Sequence, residues 1–142
     1  HSSELRAVKG VNPAIYSKLR GWICALPDAE LSPLNVNTLL PEQAPLLAML
    51  FPPAKLSPIV ARTYLAKRPA SGYGSLIRFW EAPELVALQP SALVQGQVKL
   101  TSKYFLLDTQ VSLGDLRLQG EAMIVGAPAP ARVIWRSWGE QE

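Results

Sequence analysis

Histidine is nearly missing from this chain: its one copy is the first residue, His1. A Ser-His-Asp triad, a Cys-His pair and a histidine-ligated metal are all unavailable away from that end. Cysteine is almost as scarce. Cys24 is the only one, which excludes an internal disulfide, and at an apolar helical position it reads as a small packing residue. No stretch approaches the roughly 18 consecutive apolar residues that a membrane-spanning helix needs. There is no Gly-x-Ser-x-Gly and no Walker loop, and Gly72-Tyr73-Gly74 is too short for a dinucleotide fingerprint. The opening His-Ser-Ser-Glu-Leu matches neither a signal peptide nor a lipidation motif and reads as a cut end.

Apolar residues are plentiful. They make up 49% of the 142 positions, enough for a packed core and against wholesale disorder. The formal net charge of +3 is too small to announce a nucleic-acid binder, but it is uneven. Residues 1–68 carry eight Lys/Arg against four Asp/Glu, and residues 69–142 carry six against seven. Scattered basic residues of this kind are ordinarily solvated helix faces.

The hydrophobic period divides the chain at about residue 92. Before it the pattern is helical. Asn12 and Pro13 form a helix start, followed by a stripe of Ile15, Leu19, Ile23 and Leu26 that Pro27-Asp28 closes. A second helix is expected from Pro41-Glu42 through Leu46, Leu47 and Leu50 to Phe51, with Pro45 disturbing its start. A third begins with Ser57 as cap and Pro58 inside it and continues to Lys67. A last one is expected within residues 75–88, turning Leu76, Phe79, Trp80 and Leu85 inward. Residues 5–23 and 46–66 read as two copies of one unit: an apolar turn, a polar bend, a Pro-started helix and a basic tail.

From about Leu93 the period becomes two. Phe105, Leu107, Thr109, Val111 and Leu113 alternate with Tyr104, Leu106, Asp108, Gln110 and Ser112. Gly114-Asp115 signals a tight turn, and Leu116 to Ile124 is the return strand. "GAPAPA" (Gly126 to Ala131) is a stiff connector, and residues 132–138 form a third strand with Val133 and Trp135 on one face, Trp135 in the core. The expected fold is α+β, a small helical module of the helix-hairpin-helix or SAM-like kind over residues 1–92 and an antiparallel β-sheet over residues 93–142.

Candidate chemistry is thin. Glu81 and Glu84 fall three residues apart on one helix face, but exposed glutamates are common. Asp28, Glu30, Asn35 and Asn37 form the only loop cluster of oxygens, and their spacing matches no EF-hand, so calcium is the one cofactor left open. Nucleic acid needs a bend whose amides face a phosphate. Lys9-Gly10-Val11-Asn12 offers one. The bend over residues 52–57 has no Gly, and Pro52 and Pro53 have no amide hydrogens to offer. No residue qualifies as catalytic, cofactor-binding or metal-binding. In "LNVNT" (Leu34 to Thr38), Leu34 and Val36 should point inward while Asn35, Asn37 and Thr38 satisfy backbone groups near the next helix start.

Several segments, in order, resemble one family. "SELRAVKGVNPAIYSKLRGWICALP" (Ser3 to Pro27), "LNVNT-LLPE" and "LSPIVARTYLAKR" (Leu56 to Arg68) resemble the helical insertion of the general secretion pathway protein K (GspK) family. Its members are minor pseudopilins of type II secretion systems. "LTSKYFLLDTQVSLGD" (Leu100 to Asp115) and "ARVIWRSWGE" (Ala131 to Glu140) are similar to the end of the same proteins. Leu39-Leu40 departs from the family, which often has Ala-Ser or Ala-Pro there, and loses a capping hydroxyl.

The resemblance implies a pilin-like sheet and a non-catalytic subunit at the tip of a pseudopilus. It implies assembly with the minor pseudopilins I and J and contact with secreted substrates, but not nucleic acid. It also implies the C-terminal part of a periplasmic region whose full-length protein is anchored in the inner membrane by an N-terminal spine helix absent here. The alternative is a helix-hairpin-helix DNA-binding module of the DNA-uptake type, which shares "NVNT".

Overall fold

The computed structural model describes residues 2–29 and 31–139. His1 and Glu30 lie outside the described residues. The chain forms two compact units, residues 1–30 and 31–142.

The first unit is a 3-10 helix, Ser2–Ala7, and helix α1, Pro13–Leu19. Asn12 caps α1 as its sequence demands, with the Ile15 amide donating to its side-chain oxygen at 2.9 Å. The helix stops well short of Leu26. Gly21 is a poor helix former, and the Trp22 amide closes a turn on the Leu19 carbonyl. Ile23 and Leu26 are therefore half-buried in non-helical chain, and α1 itself buries no residue.

The second unit opens on β1, Leu34–Asn35, followed by a 3-10 turn, Pro41–Gln43, and α2, Ala44–Ala48. Pro45 falls at the start of α2, so the expected single helix is split there. Helix α3 is Pro58–Ala66, with Ser57 accepting from the Val60 amide. The helix expected over 75–88 breaks at Ala82-Pro83 into α4, Leu76–Trp80, and α5, Pro83–Val86. Then come α6, Ala92–Gly96, and β2, Val98–Lys99. Only after these does the long sheet begin: β3, Tyr104–Leu113, β4, Leu116–Val125, and β5, Arg132–Trp138.

Two sheets result. β1 and β2 pair in parallel, Leu34 opposite Val98 and Asn35 opposite Lys99, while β3, β4 and β5 form an antiparallel meander. The fold is α+β, a helical module followed by an antiparallel sheet. The parallel pair crosses the expected boundary at residue 92 and joins residue 98 to the helical module. The buried cluster runs from Val36 to Val98 and includes Leu47, Leu65, Phe79 and Leu85. The two expected repeat units differ accordingly, because α3 buries Ala61, Tyr64 and Leu65 in this core.

Candidate functional site

The "LNVNT" stretch is a junction. The Leu34 amide donates to the Gln97 carbonyl (2.8 Å) and the Val36 amide to the Lys99 carbonyl (3.0 Å), so the stretch takes part in a sheet. Val36 is fully buried, as its alternation with the two asparagines requires. The Asn35 side-chain oxygen accepts from the Asn37 amide, an Asx turn, while its Nδ2 donates to Ser102 Oγ at 2.9 Å. Asn37 spans further. Its Nδ2 donates to the Leu100 carbonyl (3.3 Å), and its Oδ1 accepts the Tyr73 amide (2.9 Å). Arg68 closes the ring, donating from Nη1 to the carbonyls of Val36 (3.0 Å) and Leu39 (2.6 Å).

Gly72 is required at this junction. Its φ is +79°, and a Cβ there would meet Asn37 Oδ1 at 2.8 Å. The loss of a capping hydroxyl at Leu39-Leu40 is offset by Gln43, whose Oε1 accepts from the Leu40 amide at 2.9 Å.

Behind the junction lies an aromatic cluster. Tyr64 and Tyr73 stack with centroids 5.6 Å apart, and Phe79 lies 5.5 Å from the first and 5.0 Å from the second. Trp80 packs edge-on against Phe79 at 4.8 Å. The Tyr64 hydroxyl donates to the Phe79 carbonyl at 2.8 Å. By contrast, the Tyr73 hydroxyl and the Trp80 indole N–H are buried with no well-formed hydrogen bond. Burial raises the pKa of both tyrosines above the ordinary value, since the phenolate loses water in this setting.

These residues leave little for chemistry. Glu81 ends α4 and Glu84 lies in α5, across the Ala82-Pro83 break, so they do not share the helix face expected of them. Glu84 instead reaches Lys67 at 3.6 Å. Asn35 and Asn37 spend their side-chain amides within the protein, Asp28 belongs to the other compact unit, and Glu30 is outside the described residues. Among the described residues no group of three or more His, Cys, Asp and Glu could hold a metal. At the first bend Gly10 has φ +96°, and the Val11 amide already donates to the Val8 carbonyl. The second bend turns at Ala54, with φ 68° and the Lys55 amide donating to the Pro52 carbonyl. No helix of the described residues is long and apolar enough to cross a membrane.

What the chain does present is a surface. Register places Phe105, Leu107, Val111, Leu118, Ile124 and Trp138 on one side of the meander, with Trp138 lying over Gly120. Four of them, Phe105, Leu107, Val111 and Leu118, remain 43–49% exposed although their strands are fully formed. The opposite side buries Met123 and Val125 at one end and is polar at the other, with Asp108, Gln110, Arg117 and Glu121.

A β-bulge between Met123 and Ile124 sets Val133 opposite Ile124 and Trp135 opposite Met123. The two therefore lie on different faces, which corrects the expectation that they share one. Trp135 is only half-buried. Simple alternation gave no sign of the extra residue.

Residues 34–101 match the family model described as Type II secretion system (T2SS), protein K. That span begins at β1 and ends just after β2, so it coincides with the module that the strand pair closes. The chain is 35% identical over 137 residues to Type II secretion system protein K of Klebsiella pneumoniae, covering 96% of this chain and 41% of that protein. It is 36% identical over 113 residues to the Dickeya chrysanthemi protein K, covering 80% and 31%. The chain belongs to the type II secretion protein K family.

Its fold agrees with a solved structure, the crystal structure of the GspK-GspI-GspJ complex from the enterotoxigenic Escherichia coli type 2 secretion system. The match has a TM-score of 0.77 and 30% identity and covers 99% of this chain and 48% of that one. This protein K family member thus spans less than half the length of these relatives.

Proposed function

We propose that this chain is part of a minor pseudopilin, a subunit at the tip of the type II secretion pseudopilus that acts by assembling with the minor pseudopilins I and J. The observation that carries the reading is the likeness of 99% of the chain, helical module and sheet together, to a chain of the GspK-GspI-GspJ complex. The physical features agree with it. An apolar sheet face left half-exposed is a surface made for burial against another element, as in subunits that work packed against neighbours. The polar groups of the junction are spent on holding the module together. Under this reading the protein is not an enzyme, requires no cofactor and resides on the periplasmic side of the inner membrane, tethered there by its full-length form.

The test is reconstitution. The soluble region of the full-length protein, mixed with soluble I-type and J-type pseudopilins from the same genome, should co-elute with them as one complex on size exclusion. Separate elution of all three at micromolar concentration would overturn the proposal. The DNA-binding alternative is not favoured, since the matched family and relatives are secretion proteins and neither bend has the expected amide cradle.

A further inference from the structure

We draw no further inference here: the strongest candidate, the open apolar face of the β3–β4–β5 sheet around Leu107, Val111 and Leu118, carries nothing because nothing in the structure shows what covers it.

Discussion

Asn37 shows how much one amide can organise. Its oxygen and nitrogen join the loop at Tyr73 to the strand exit at Leu100, positions 36 and 63 residues away in sequence. Replacing it with Ala leaves the Tyr73 amide and the Leu100 carbonyl without these partners in a part-buried place. Asn37→Ala should cost about 1–3 kcal/mol in urea unfolding. A change below about 0.5 kcal/mol would show that water substitutes freely for the side chain.

The two stacked tyrosines make a paired test. Tyr64→Phe orphans the Phe79 carbonyl and should destabilise by about 1 kcal/mol. Tyr73→Phe removes a hydroxyl with no well-formed bond and should be neutral or stabilising. The pH dependence follows from the same burial. Both groups have raised folded pKa values, so the neutral forms keep their full contribution below about pH 10, where an unfolded tyrosine titrates. Above it the unfolded chain loses protons first, and stability falls by up to about 1.4 kcal/mol per pH unit for each group. Unfolding midpoints measured from pH 8 to 11 should drop above pH 10, and less steeply in Tyr73→Phe. Equal slopes in the two proteins would contradict a raised Tyr73. Side chains alone did indicate that the asparagines of "LNVNT" serve the backbone. Their partners at 73, 100 and 102 carry no sequence signal.

At the scale of elements, legibility followed length. The long strands were readable because ten residues show alternation clearly, and Gly114-Asp115 marks their turn. β1 and β2 were not, since two residues cannot show a period of two. Helix starts were readable from Asn12, Ser57 and their prolines, because capping is local chemistry. Helix ends were harder: an apolar stripe continues past Leu19 while the backbone does not. Expecting Trp135 in the core failed for a related reason, since a bulge leaves no mark in alternation.

The sheet face offers its own test. Leu118 lies in the central strand, yet is 43% exposed. Leu118→Lys should therefore keep the unfolding free energy within about 0.5 kcal/mol. The same change should reduce binding of the dye ANS, which reports exposed apolar surface. A loss of several kcal/mol would mean that this side chain is packed in the isolated protein.

On the scale of the whole molecule, the core and the family match agree on where the module lies. The buried cluster falls between Val36 and Val98, and the matched span is 34–101. The long sheet has only Gly120, Met123 and Val125 buried among its described residues. A fragment of residues 31–102 should therefore fold alone, with a cooperative thermal transition followed by circular dichroism. A featureless melt would show that the sheet is needed to complete the core. Composition and period foretold the helical and sheet regions but placed their border at residue 92, before α6 and β2. The strand pairing that moves it is a long-range event, settled by loop closure and burial rather than by local pattern.

That pairing also has a mechanical side. β1 and β2 run parallel at the entry and exit of the module, so tension between residues 31 and 102 pulls them past each other lengthwise. The Leu34–Gln97 and Val36–Lys99 backbone bonds, with the Asn35–Ser102 and Asn37–Leu100 contacts beside them, then share the load instead of unzipping in turn. The helical core hangs from this clamp outside the line of force. It stays unloaded until the clamp yields.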